Sequence, residues 1–238
     1  MALVYAEDPD SARVALSGAL ALYREAGDEL NEARVLNGLG AVEFVAGSPE
    51  EVLRWSEQAL AICERLDDPE GLSRSLQYVA EALRDTGAYE RAAELYTRSI
   101  EIRRARGLGS GESAVHSLGD LSLDSGDPSA AAAYYREALA LSLEQEDPRL
   151  GGYCLAGLAC VAARTGDART AGRLWTLAEQ TEHEIGRRML ASERIRYERI
   201  LSPPLADSDE FRSGVAEAAD TNPHDEAGVI LGRAMQPP

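Results

Sequence analysis

Ser113, His116 and Asp120 stand at i, i+3 and i+7, on one stripe of a helical segment. Their types are those of a nucleophile, a base and an orienting carboxylate. The stripe lacks donors for an oxyanion, because amides in mid-helix are already bonded within the helix. A hydrolase built on His116 is therefore kept only as a remote alternative. A metal held by His116 and Asp120 would need a third ligand, for which Glu81 and Asp124 are the candidates, and the spacing is not that of a metal motif. His183 and His224 read as surface histidines. The segment Gly107-Leu108-Gly109-Ser110-Gly111 follows a helix rather than a strand and carries no Gly-Lys-Ser/Thr, so it reads as a connector and not as a phosphate loop. Arg103, Arg104 and Arg106 precede it and would attract an anion to the next helix start. The expectation is a protein without catalytic residues, cofactor or metal.

The polar residues that remain are candidates for recognition, and their places follow from a repeat. Gly-led turns begin at Gly47, Gly87, Gly126 and Gly166, at spacings of 40, 39 and 40 residues. A second set of breaks lies between them at Gly27-Asp28, Asp67-Asp68-Pro69, Gly107-Leu108-Gly109 and Asp147-Pro148. Each period thus holds two helix-length apolar segments, and no strand pattern intrudes. Seven residues before each turn glycine comes a small residue, Gly40, Ala80, Gly119 or Ala159. Five after it come Val52, Ala92, Ala131 and Ala171, then Ser56, Tyr96, Tyr135 and Trp175, then Ala59, Ser99, Ala138 and Ala178. These offsets resemble the tetratricopeptide repeat (TPR) consensus, in which small residues let the two helices of a hairpin approach and an aromatic fills the gap beside them. The expected fold is all-α, a right-handed TPR-like solenoid of antiparallel hairpins. Full repeats should cover about 29–66, 70–106, 110–146 and 149–185. A lone second-type helix, about 10–26, precedes them, with residues 1–7 as a stub. Its missing partner helix implies either a frame that starts inside a repeat or a stub that packs on something outside the chain. Leu3, Val4 and Tyr5 do not have the polar character of a cap.

In TPR arrays the first helices of the hairpins line the concave face. That offset assigns Arg34, Asn37 and Phe44 to the groove in the first full repeat, and Arg74, Gln77, Glu81 and Arg84 in the second. The third contributes Ser113, His116 and Asp120, the fourth Tyr153 and Arg164. Such a mixed lining suits an extended segment or helix of a partner protein, and Arg with Asn on neighbouring helices suits a carboxylate. A small molecule held by Arg74, Gln77, His116 and Tyr153 is the alternative.

Composition narrows the partners. The 238 residues carry 24 basic groups, every one an arginine, against 41 acidic ones, a net charge of −17. This opposes direct nucleic-acid binding, which needs a basic footprint, and contact with anionic lipid. The all-arginine set fits a GC-rich bacterial coding sequence. Cys63, Cys154 and Cys160 are odd in number and lack metal spacing, so they read as small core residues in a reducing compartment. With neither a signal peptide nor a membrane span in the sequence, a cytoplasmic protein is expected.

Residues 187–201, with Ile195 and Leu201 together with Tyr197 as the residues that would cover the exposed end of the array, read as a capping helix, stopped by Ser202-Pro203-Pro204. The tail 202–238 reads as poorly defined, because its Pro, Asp and Gly content opposes order; short helices at about 208–219 and 224–234 are the candidates within it. The block Ala171-Gly172-Arg173-Leu174-Trp175-Thr176-Leu177-Ala178-Glu179, followed by Ser192-Glu193-Arg194-Ile195-Arg196-Tyr197-Glu198-Arg199, resembles a C-terminal segment of bacterial STAND-type ATPase regulators, including LuxR-type transcription factors. That resemblance spans about 10–201 and implies a sensor arm in transcriptional signalling. Its exposed first helix would dock a missing N-terminal ATPase domain or a second copy. ATPase activity and DNA binding do not carry over, since no Walker loop with lysine and no helix-turn-helix is present.

Overall fold

The computed structural model describes residues 8–202 and 205–232. Among them are twelve helices and no strand. The stub 1–7, Pro203-Pro204 and residues 233–238 lie outside the described residues. The chain divides into two compact units, Met1–Ala114 and Val115–Pro238.

The first unit holds α1 (Pro9–Ala26), α2 (Glu29–Ala46), α3 (Pro49–Leu66), α4 (Pro69–Asp85) and α5 (Tyr89–Ala105), each packed on the next. Local chemistry sets their ends. The carboxylates of Asp8 and Asp28 accept hydrogen bonds from the amides of Ser11 and Asn31, satisfying donors that a helix start leaves unpaired. Pro9, Pro49 and Pro69 occupy the first helical turn, where a missing N–H costs nothing. Gly27 and Gly47 end α1 and α2 in the left-handed region at φ 69° and 72°, which L side chains enter only with strain. At the α2–α3 crossing a Cβ on Gly40 would stand 2.6 Å from Ser56 Oγ, so any side chain there would require that hydroxyl to move. The core beneath is Leu20, Leu36, Leu39 and Ala59, with Leu16, Val35, Trp55 and Ile62 against it.

In the second unit, α6 (Glu112–Asp124, from Val115 onward), α7 (Pro128–Glu144), α8 (Pro148–Arg164) and α9 (Ala168–Ile185) continue the hairpin pattern. Tyr135 of α7 is fully buried between Gly119 of α6 and Gly157 of α8. Added Cβ atoms at those glycines would lie 2.7 Å and 2.5 Å from its ring. The tyrosine thus fills a slot that the absence of two side chains creates.

The chain then does two things that the repeat does not dictate. Helix α10 (Ala191–Ile200) turns back across α8 toward α6. Residues 187–201, read from sequence as a cap over the end of the array, therefore contact the first helices of the hairpins; Ile195 is 56% exposed, and Tyr197 is buried against α6. The outer face of α9 is covered by α11 (Asp209–Ala218), which packs along it as the first helix of a further hairpin would. Gly172 and Gly214 make that crossing possible, since a Cβ on either would collide with the backbone of Phe211 or Arg169. Arg169–Glu217 and Arg173–Glu226 ion pairs, and Gln180 Nε2 donating 3.0 Å to the Ala218 carbonyl, hold the segment in place. Helix α12 (Pro223–Ile230) lies against α7, α8 and α9.

Candidate functional site

Two groups of polar residues lie on the first-helix faces, one in each unit. In the first unit they come from α2 and α4, whose mutual position is fixed by a buried tie. Asn37 Nδ2 donates to the Gly71 carbonyl at 3.3 Å, and Ser75 Oγ donates to Asn37 Oδ1 at 2.9 Å. Asn37 is 2% exposed, so its amide is spent on joining the two helices. Beside this tie opens a pocket of about 310 Å³ lined by Arg34, Asn37, Asp68, Glu70, Gly71 and Arg74. Arg34 is exposed and touches Asn31; Arg74 is half-buried and pairs with Glu70 at 3.0 Å. Both guanidinium groups are within reach of solvent, and both retain unfilled donors for an arriving carboxylate. Further along the face, Phe44 and Tyr78 are half-buried with ring centroids 6.4 Å apart, and Gln77 is half-buried. Arg84 is buried and pairs with Glu81 at 3.1 Å.

The second unit gathers His116, Asp120 and Tyr153 differently from an open groove lining. All three are buried, under or beside α10. Asp120 is the hub. Its Oδ1 accepts from Tyr135 Oη at 2.7 Å, from Tyr197 Oη at 2.9 Å and from Arg196 Nη2 at 2.5 Å. Arg196 also reaches Glu193 at 2.8 Å and Asp124 at 3.4 Å, and its guanidinium lies 4.6 Å from the Tyr197 ring centre. His116 faces Asp120 Oδ2 through Nδ1 at 3.5 Å and Tyr197 Oη through Nε2 at 3.2 Å. Tyr153 stands edge-on to His116, with centroids 5.8 Å apart, and its Oη accepts from the Leu190 amide at 2.8 Å.

Electrostatics follow from this burial. Loss of water, then the Asp120 charge, push the Tyr135 and Tyr197 phenols well above their ordinary pKa. Burial, followed by the Glu193 charge, also raises Tyr153, to about 12, although the Leu190 amide pulls the other way. For Arg196 burial opposes the charge, but Asp120 and Glu193 more than offset it and hold the pKa well above normal. Every phenol stays protonated and every guanidinium charged, so the cluster is a set of committed donors around one carboxylate.

This arrangement fits a lock better than a reaction centre. His116 is buried against Asp120 and Tyr197, away from Ser113, which is exposed. Asp124, a metal-ligand candidate in the sequence, faces Arg196. Among the described residues no group of three or more His, Cys, Asp or Glu side chains is arranged to hold a metal ion. Arg164 is exposed at the end of α8. Arg196, Tyr197 and Tyr135 are the participants that groove offsets miss, because two arrive on α10 and the third passes between two helices. A carboxylate beside Gly119 was the available signal, since a buried acid demands a cationic or multiply donating partner. The three cysteines are buried and free. Burial raises Cys63 to about 11 and Cys160 to about 12, and pushes Cys154 well above the ordinary thiol value.

Comparison with known proteins agrees with this architecture. Models of the tetratricopeptide repeat match residues 31–105 and 114–149. The crystal structure of BtubC (BKLC) from P. vanneervenii is similar over 97% of this chain and 95% of that one, with a TM-score of 0.64 and 15% identity. That likeness is one of fold. The search of curated proteins found no match. Among the described residues no helix is long and apolar enough to cross a membrane. The chain is a helical repeat protein that carries tetratricopeptide repeats.

Proposed function

We propose that the chain is a protein-binding module whose first unit takes an extended, carboxylate-bearing segment of a partner between α2 and α4. The observation that carries this is the pocket beside the Asn37–Gly71 tie, with Arg34 and Arg74 on its rim and Phe44, Gln77 and Tyr78 further along the same face. Tetratricopeptide repeats bind protein partners as a class, and arginine forks match carboxylates in a geometry that lysine does not reproduce. A screen of immobilised synthetic 12-residue peptides against the full chain, repeated with Arg34→Ala/Arg74→Ala, tests the reading. Peptides held by the parent protein should lose at least about tenfold in affinity while the circular dichroism stays unchanged. Equal capture by the double variant would remove the site.

The finer assignment is a sensor arm in bacterial transcriptional signalling, in the cytoplasm, with α1 as the docking helix for an ATPase domain or a second copy. It rests on the likeness of residues 171–179 and 192–199 to STAND-type regulators and on two exposed apolar residues of α1, Val14 and Leu22. Size-exclusion chromatography with light scattering on Val14→Glu/Leu22→Glu tests the self-association form of it. An unchanged mass for parent and variant alike, at the monomer value, removes that form.

A further inference from the structure

The second unit contains a pocket that the groove reading does not use. Helix α12 folds over the open end of the α7–α8–α9 bundle and leaves a recess of about 380 Å³, within the range that small ligands occupy. Its walls are apolar: Leu139 and Leu143 from α7, Leu155 and Pro148 from α8, Ala227 from α12.

The two hydroxyls in these walls share one character. Ser142 Oγ donates its proton to the Leu139 carbonyl at 2.8 Å, and Thr181 Oγ1 donates to the Leu177 carbonyl at 2.9 Å. Each hydroxyl has spent its only hydrogen, so it offers acceptor lone pairs alone. Three carboxylates stand on the rim, Asp147 paired with Arg149 at 3.5 Å and Glu146 and Glu184 beside it, together with a single imidazole, His224. At the helix starts nearby most first-turn donors are missing or already used. Pro148 and Pro223 have no N–H, Asp147 caps the Leu150 amide, and Asn222 caps the amides of His224 and Asp225. The carboxyl ends of α7 and α9 border the recess together with the amino ends of α8 and α12, so the helix dipoles largely cancel there and the side-chain charges set its potential.

An apolar recess whose two wall hydroxyls can only accept and whose rim is mostly acidic selects a ligand that has a hydrophobic body and a positively charged donor head. We infer that this pocket binds small amphiphilic amines, an aryl or alkyl group carrying a primary ammonium. The body occupies the space between Leu139, Leu143 and Leu155, and the ammonium sits toward Glu184 and Glu146. A carboxylate of the same shape is excluded by the rim, and a neutral alcohol keeps only the apolar part of the interaction.

The test uses the full chain labelled at leucine methyls and three matched probes: phenethylamine, 2-phenylethanol and 3-phenylpropionate. Phenethylamine should give saturable shifts of the Leu139, Leu143 and Leu155 methyl signals. The alcohol should bind at least about fivefold more weakly and the carboxylate weaker still. Glu146→Gln/Glu184→Gln, which removes two exposed charges without touching the walls, should weaken the amine about fivefold and leave the alcohol unchanged. Equal binding of the three probes, saturation confined to other residues, no saturation at all, or an amine affinity indifferent to the double variant would each overturn the inference. The probe series stands even if the variant does not fold.

Discussion

Removing the Asp120 carboxylate should release α10 while leaving the helix pairs around it assembled. Asp120→Ala strips three donors of a shared acceptor: the Tyr135 and Tyr197 hydroxyls and Arg196 Nη2. A buried donor left unpaired costs about 1–3 kcal/mol, and an uncompensated buried charge more. Arg196 keeps Glu193 and Asp124, which reduces its share, so the total is about 3–5 kcal/mol. Asp120→Asn retains an oxygen acceptor for the tyrosines and removes only the charge, so about 1–2 kcal/mol is expected. Tyr197→Phe should cost about 1 kcal/mol, since Asp120 is still served by two donors. Native-state hydrogen exchange reads the effect where it acts. A loss of 3 kcal/mol in local opening raises exchange of the α10 amides roughly 100-fold, with little change in the middle of α8. Unchanged protection of α10 in Asp120→Ala would refute the lock. Equal damage from Asn and Ala would refute the argument from shared acceptors and assign the effect to charge.

Further expectations come from single positions. Gly157→Ala, which forces a methyl to 2.5 Å from the Tyr135 ring, should lower stability by about 1–3 kcal/mol. Gly18→Ala on α1, where nothing lies within 4 Å, should raise it by about 0.5–1 kcal/mol; urea midpoints of the two variants should move in opposite directions. The raised thiol pKa values of Cys63, Cys154 and Cys160 predict negligible labelling by a disulfide reagent at pH 8 until denaturant is added, and rapid native labelling of any one would contradict their burial. The Thr170 amide holds the Asp167 carboxyl below its unfolded value of 3.8. Its contribution is therefore present at neutral pH and lost as pH falls through the folded pKa. Asp167→Ala should cost about 1 kcal/mol at pH 7, and parent and variant should converge in acid. A gap that persists at pH 2 would count against the cap.

The repeat was legible because its punctuation is local. A capping aspartate, a proline in the first turn and a glycine at the stop act within a few residues, so their spacing alone gives helices and hairpins. Candidate helices of the tail at about 208–219 and 224–234 stand at Asp209–Ala218 and Pro223–Ile230, but its Pro, Asp and Gly content points to a poorly defined segment and gives no sign that α11 packs along α9. What the pattern does not carry is the partner of each face. Tyr197 and Leu201 mark one side of α10 for burial, but amphipathicity does not say whether it meets the end of the array or the side of it. Asn37 likewise sits at a groove offset while its amide is consumed by a carbonyl 34 residues away. The recess under α12 depends on four helices meeting, and no short stretch of sequence encodes it.

The two first-helix faces assign stability and recognition to different residues. In the second unit the face is filled by the chain's own α10, whose Arg196 and Tyr197 satisfy Asp120 and His116. A partner could use those residues only by lifting α10, at the cost of the whole network. In the first unit Arg34 and Arg74 remain within reach of solvent and contribute little to packing, since exposed ion pairs are worth about 0–1 kcal/mol. Substitutions should therefore separate cleanly. Arg34→Ala/Arg74→Ala should weaken peptide capture at least about tenfold with an unchanged unfolding midpoint, whereas Asp120→Ala should shift the midpoint and leave capture intact. If Asp120→Ala instead opens a second class of captured peptides, then α10 is a displaceable occupant of a working groove. If it abolishes capture by the first unit, the two faces are coupled and the separation argued here fails.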